Sequence, residues 1–531
     1  MGRSVANAAF LRALLRADPF DEYHFLLRDR ALANGVRARL ADEFPELARG
    51  GRLVFRERAE LPAAMADTPF HCMHLSDCIN HPAHLAALRN ALSPRIFPIT
   101  GPTHSLSYRR FSTDFLAQLW PGSTRRDCVI ATSTTAVEVV RGFHDYLSEG
   151  YGIAPECRPR VERIPLGVDT DVYRPATQEE RRAARESLGL ADGQLAVLLF
   201  SRLSHHSKMD PLPVLRAFQR LGREGFDLSR VVLCLAGWDD GDGAAFGATL
   251  AELARNVGLG WRLEVGPDES RKRELFWACD VFLSPVDNPQ ETFGLTMLEA
   301  GAMGCAVVAS DYDGYRDLVV HGETGLLVPT LGPRTTDGVD RMAPLVFDAD
   351  YHLLLAQETV VDVPRMAQAL RTLFDDPALR GRLGENARRR VEAEFSWRSV
   401  VERHVELWDA LWNEPVDEAA LRGRRHPMQL PYARVFGGYP TGVLDDALRV
   451  TWSAAGRALY RGQEFVSFYE GMESRLSPER LRRVVFFARK PIACARLAAK
   501  LAEAESMPPE DAEFCILWAL KNDFLERCDE R

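Results

Sequence analysis

The chain has 531 residues, of which 46% are hydrophobic and 27% charged; this is ordinary globular composition, long enough for three or four domains with sizeable cores. A disordered chain is excluded, and a net charge of −9 without a long basic run excludes a general nucleic-acid-binding surface. Ten scattered cysteines with no CxxC pair, no charged-then-apolar leader and no apolar run of transmembrane length point to a reducing cytoplasm. The basic residues are nearly all arginine, so each of the few lysines is informative.

GRSVANAAFLRALLRA reads as a helix with Phe10, Leu11, Leu14 and Leu15 on one face. Strand-like EYHFLL, a helix over about residues 29–44, strand-like RLVFRE, a short helix, and then FHCMHL and RIFPIT follow, each bounded by turn residues. DCVIA opens the next unit, STTAVEVVRGFHDYL is its helix, and RVERIPLGVDTDVYRP closes the half as a linker punctuated by Pro165 and Pro175. Strands alternating with helices predict a parallel doubly wound sheet over residues 1–175.

The run from His71 to His84, HCMHLSDCINHPAH, has ligand types that suit zinc. Its spacing matches no structural zinc pattern, and His71 and Cys72 would face opposite sides of a strand. The other reading puts His74 at a strand end, lining a cleft.

The second half opens with AVLLFS, a buried-strand run, and PVLRAFQRL, an amphipathic helix. Arg202 and Lys208 then sit on the connecting loop at the strand's carboxyl end, the edge where such sheets bind ligands. RVVLCLAGW is another buried strand. The acidic DDGDG after it reads as a solvated loop, because no second acidic cluster completes a metal site. WRLEVG and RKRELFWACDVFLSP supply a strand, a helix and a strand, with Gly266 placed for a base to lie against backbone.

Residues 284–329, SPVDNPQETFGLTMLEAGAMGCAVVASDYDGYRDLVVHGETGLLVP, combine a tight loop, a helix start and two carboxylates. Helical composition begins at Leu295 with Gly294 at its mouth. The N–H groups of Phe293, Gly294 and Leu295 therefore favour an anion such as phosphate. Glu291 precedes the helix and Glu299 lies about two turns inside it, so they serve different parts of one ligand. Carboxylates accept hydroxyls, which suits Glu299 to a ribose and Glu291 to a transferred sugar.

ETFG, the Glu-seven-residues-Glu spacing, EAGAMG, CAVVAS and GETGLLVP together resemble glycosyltransferase family 4, retaining nucleotide-sugar enzymes of GT-B architecture. The resemblance covers roughly three quarters of the chain. It implies an α/β fold of two Rossmann-like doubly wound domains facing across a cleft, the second over residues 176–385, with residues 386–413 crossing back to the first. It assigns Arg202 and Lys208 to the donor diphosphate, Gly266 to the base, Glu291 and a cleft histidine, nearest His104, to the sugar, and no metal or other cofactor. One extra residue between Arg202 and Lys208, Ser201 where glycine is usual, and Met209 depart from the pattern. So does the start: the family leads with a strand and a glycine loop, whereas this chain begins at the loop, with Gly2 and Ser4 at its end. The expectation is a late or trimmed start, and an N-terminal half that lacks a central strand and is destabilised or patched by another segment.

Residues 414–531 lie outside the resemblance. A turn-rich opening precedes three expected helices over 479–489, 492–503 and 509–525, a small helical interaction domain in which basic SPERLRRVVFFARK offers possible peripheral membrane contact. The expected activity is retaining transfer from a nucleotide-sugar donor to an unknown acceptor in the cytoplasm. A sugar-nucleotide epimerase on the same scaffold and a non-catalytic binding protein are the alternatives.

Overall fold

The computed structural model describes residues 2–204, 208–238, 243–343, 345, 349–469, 471–473 and 475–528. The chain divides into two compact units, Met1–Gln429 and Leu430–Arg531.

In the N-terminal half of the first unit, helix Gly2–Ala17 leads into β1 (Tyr23–Leu27), which pairs in parallel with β2 (Leu53–Glu57). β3 (Met73–His74), β4 (Ile99–Pro102), β5 (Asp127–Ala131) and β6 (Arg160–Arg163) form a separate four-stranded parallel sheet in that order. Among the described residues no strand joins β1 to β3. Side chains bridge the interval instead. Trp408, on helix Trp397–Trp412, donates its indole N–H to Thr100 Oγ1 on β4 at 3.1 Å. Its ring lies 5.7 Å from Phe20, just before β1, and 5.6 Å from His74 on β3. His74 therefore does not line a cleft: its ring packs against Phe10, His404 and Trp408, and Nδ1 pairs with Thr100 Oγ1 at 2.9 Å.

The C-terminal half is a six-stranded parallel sheet of β7 (Leu195–Phe200), β8 (Val231–Gly237), β9 (Gly260–Val265), β10 (Val281–Ser284), β11 (Ala306–Ser310) and β12 (Leu326–Val328), ordered β12-β11-β10-β7-β8-β9. β7, β8, β10 and β11 are buried throughout, as their unbroken apolar runs require when helices cover both faces. The strand order reverses between β7 and β10, and at such a switch point the loops leaving the two strands diverge and open a crevice. Those two loops carry Lys208 and Glu291.

Two boundaries differ from the sequence reading. Helix Pro377–Glu394 is continuous through the expected break at 385/386: Asp376 caps its start and the chain breaks at Phe395 before Ser396 caps the next helix. Residues 414–429 belong to the first unit, where Arg422 donates to the Asn90 carbonyl at 2.8 Å and the His426 ring packs 4.8 Å from Trp120. The short helices Asp337–Met342 and Ala349–Gln357, inserted after β12, had no counterpart in the sequence reading.

The second unit packs helices Ala454–Tyr460, Pro478–Phe487, Cys494–Glu505 and Pro509–Lys521 with a three-stranded antiparallel sheet, Arg449–Trp452 lying between Ile492–Ala493 and Leu525–Arg527. Its core includes Val450, Leu481, Val484, Val485, Leu497 and Ile516. The apolar stripe of SPERLRRVVFFARK is thus a packing face. Among the described residues no helix is long and apolar enough to cross a membrane.

Candidate active site

The loop after β10 is pinned by its own turn chemistry: Asn288 accepts from the Gln290 N–H through its side chain at 3.0 Å and from the Glu291 N–H through its carbonyl at 3.1 Å. Gly294 then takes φ 99° to start the eight-residue helix Leu295–Ala302. Glycine is required there twice over, because φ is positive and a Cβ would collide with the Tyr315 ring. The helix start falls at Gly294 and Leu295, where the sequence reading put it. The Phe293 N–H does not join it, since it turns back to Glu291 Oε1 at 3.4 Å and Phe293 itself is buried.

Glu291 is buried and ion-paired with Lys208, which reaches across from the loop after β7. The Tyr315 hydroxyl lies 3.4 Å from Glu291 Oε2 and 2.8 Å from Ser284 Oγ. Burial alone would raise the Glu291 carboxyl, but the charge and hydrogen bond of Lys208 and the N–H groups of Phe293 and Thr292 overcome it and hold the carboxyl below its ordinary value. Two more acids flank the pair. Burial pushes Asp287 and Asp313 each up to about 7, and the charge of Glu291 adds to the effect at Asp313. Asp287 still accepts from the Asp210 N–H at 3.3 Å, two residues beyond Lys208. Arg202 stands half-buried on the loop that leads to Lys208. The acids of DDGDG, residues 239, 240 and 242, lie outside the described residues.

Glu299 sits apart from this cluster, as the helical spacing requires. Its Oε1 accepts from Lys272 Nζ at 2.6 Å, and Lys272 also reaches the Tyr173 hydroxyl at 3.2 Å. Burial raises the Glu299 carboxyl, with the Lys272 charge opposing. Gly266 follows β9 at φ 65° with its N–H on the Gly237 carbonyl at 2.7 Å, at the same sheet edge. Lys272 was missed in the sequence, although it is one of only five lysines among 66 basic residues, and two of those five pair with the two glutamates.

On the N-terminal side, His104 points Nε2 at the Ser76 carbonyl, 3.0 Å away. Burial holds its pKa down, the Ser76 hydrogen bond opposing. Its neighbour Ser105 makes the crossing contact, donating to the Gln290 carbonyl at 2.8 Å. Lys208, Glu291 and the Gly294 helix start thus come together, with the His104 loop joined to them through Ser105 and Glu299 further along the helix.

Residues 180–334 match the family model described as glycosyl transferases group 1. Over this stretch the chain resembles the group 1 glycosyl transferases. Curated relatives include the D-inositol 3-phosphate glycosyltransferases of Nocardia farcinica, 34% identical over 195 residues (36% of this chain, 41% of that protein), and of Kineococcus radiotolerans, 32% identical over 284 residues (51% and 55%). The chain spans about half the length of the curated relatives it matches. A solved glycosyltransferase from Rickettsia africae ESF-5 superposes with a TM-score of 0.51 at 17% identity, covering 75% of this chain and 100% of that one, a likeness of fold. The matched stretch holds Arg202, Lys208, Gly266, Glu291, Gly294, Leu295 and Glu299, and with the preceding α/β half it makes the two-domain GT-B architecture.

Proposed function

We propose that the protein is a retaining glycosyltransferase that moves a sugar from a nucleotide-sugar donor to an acceptor held mainly by the N-terminal half. The observation that carries this reading is the Lys208–Glu291 ion pair at the switch point of the sheet, beside the helix start at Gly294. The donor diphosphate competes for Lys208; with Arg202 and the helix start it neutralises the charge that develops on the leaving group. Glu291, released from Lys208, takes sugar hydroxyls, with His104 on the facing loop. Glu299 takes the ribose and Gly266 the base. No metal or other cofactor enters the scheme. Acceptor attack on the face from which the diphosphate leaves, assisted by that diphosphate, accounts for retention without an enzymic nucleophile.

The relatives named for inositol 3-phosphate make a phosphorylated polyol the first acceptor to test. Purified protein is incubated with a panel of nucleotide sugars, with inositol phosphates or cell extract, and products are read by mass spectrometry. A glycosylated acceptor with the donor's anomeric configuration supports the reading. An epimerised nucleotide sugar without transfer, or binding without turnover, overturns it.

A further inference from the structure

Lys272 lies on helix Glu269–Ala278 and is 4% exposed. Its Nζ is 5.1 Å from the ring centre of Tyr173, 5.6 Å from Phe200 and 5.8 Å from Trp238. Its hydrogen bonds go to Glu299 Oε1 and the Tyr173 hydroxyl, and Glu269 stands 3.8 Å away. Glu299 is 7% exposed, and its second oxygen, Oε2, is buried with no hydrogen-bond partner among the described residues. A buried ion pair adds little stability over a packed apolar pair. A buried carboxylate oxygen left unsatisfied is a cost, and it is the kind of cost a ligand hydroxyl removes.

We propose that Lys272 is a positioning residue for nucleotide recognition: by occupying Oε1 of Glu299 it fixes the carboxylate and presents Oε2, ionised, as the acceptor for one ribose hydroxyl of the donor. This rests on the reading that Glu299 receives the ribose. With both oxygens free, a carboxylate grips two vicinal hydroxyls; with one engaged, a single hydroxyl receives the charge-assisted bond. The remaining charged or titratable neighbours are few. Glu269 disfavours ionisation of Glu299, the Tyr173 hydroxyl favours it, and Arg388, from the helix packed on Leu295–Ala302, is turned to the carbonyls of Thr170, Tyr173 and Ala302. Lys272 is thus the cation that keeps Glu299 ionised against its burial.

The test is calorimetry on the full chain with uridine, adenosine and guanosine diphosphates, and with the 2′-deoxy and 3′-deoxy forms of the one bound most tightly. Expected for wild type is a loss of about tenfold on removing one of the two hydroxyls, the same at every pH between 6 and 9. Compared with wild type at the same pH, Lys272→Gln, which keeps a donor but not the charge, binds at least tenfold more weakly at pH 6–7, recovers towards pH 9, and no longer distinguishes the deoxy form; Lys272→Arg restores the wild-type profile. A loss in Lys272→Gln that is independent of pH, or unchanged binding, overturns the proposal. Where Lys272→Gln does not fold, Lys272→Arg decides: a lost ribose preference in the folded Arg variant overturns the role, and its retention supports it. Glu299→Gln separates the two levels. If it keeps wild-type affinity and ribose preference, the assignment of the ribose to Glu299 fails; if it loses them while Lys272→Gln does not, only the role of Lys272 fails. Wild type that binds none of the diphosphates overturns the donor reading and this inference together.

Discussion

The Ser105 hydroxyl donates to the carbonyl of Gln290 at 2.8 Å, joining the loop after β4 to the residue immediately before Glu291. A second link runs beside it. His352, buried on the inserted helix Ala349–Gln357, meets Ser107 Oγ through Nε2 at 2.8 Å and the Gln290 side-chain amide through Nδ1 at 2.8 Å. The two halves therefore touch at Gln290, beside the glutamate assigned to the sugar, so contacts between halves should govern turnover more than nucleotide affinity. His352→Ala removes both of these links, each worth about 0.5–1.5 kcal/mol. Turnover is expected to fall roughly tenfold, with nucleoside diphosphate affinity unchanged; steady-state kinetics and calorimetry on one preparation check this, and equal losses in both would count against it.

Lys208 and Glu291 give opposite signatures. Lys208→Ala removes diphosphate charge compensation and strands Glu291 in a buried position, so affinity should weaken by about 1.5–3 kcal/mol and the melting temperature should drop. Glu291→Gln frees Lys208 from its partner. It should keep or improve diphosphate affinity while turnover collapses. A Glu291→Gln variant as weak in binding as Lys208→Ala contradicts this division of roles.

The local geometry of the candidate site was legible in the sequence where it depends on local pattern. Glu291, Gly294 and Glu299 follow from a loop, a helix start and a helical spacing, and the buried strands β7, β8, β10 and β11 from their unbroken apolar runs. Lys272 could not be read the same way: ESRKRELFWA looks like a solvated helix, and Lys272 is buried only because Tyr173, Phe200 and Trp238 converge on it. His352 falls in an insertion without a recognisable pattern. His74 was placed at a cleft by its position at a strand end, but its neighbours Phe10, His404 and Trp408 come from helices distant in sequence. The strands of the second unit are two to four residues long, too short to show a period of two.

Asp287 and Asp313 set the pH dependence. Each has a buried Oδ1 with no partner among the described residues, and burial raises each from 3.8 to about 7. The unfolded chain ionises these groups near pH 4 while the folded chain keeps the proton to about pH 7, so stability falls as pH rises through this window and levels off above it. Asp287→Asn should melt higher than wild type at pH 8 and equally at pH 4. Ionising both acids also opposes an anionic ligand, so wild-type diphosphate affinity should fall between pH 6 and 8, with Asp287→Asn and Asp313→Asn flattening the profile. A profile unchanged in both variants assigns the titration to other groups.

Trp408 bridges the two sheets of the N-terminal half. It is 1% exposed, its indole N–H is satisfied by Thr100 on β4, and its ring spans from Phe20 before β1 to His74 on β3. No strand among the described residues connects those two sheets, so the helix bearing Trp408 supplies cohesion that main-chain pairing does not. Trp408→Ala leaves a cavity between them, at a cost of about 3–5 kcal/mol. Trp408→Phe keeps most of the ring volume but leaves Thr100 without that donor, and should cost less. Both variants should retain nucleoside diphosphate affinity below their melting point, because Lys208, Lys272, Glu291 and Glu299 all lie on the loops and helices of the second sheet. Thermal melts with calorimetry at low temperature separate the two effects: a Trp408→Ala melt within a degree of wild type shows that the sheets do not need the bridge, whereas lost nucleotide binding in the folded variant shows that the bridge acts on the site as well.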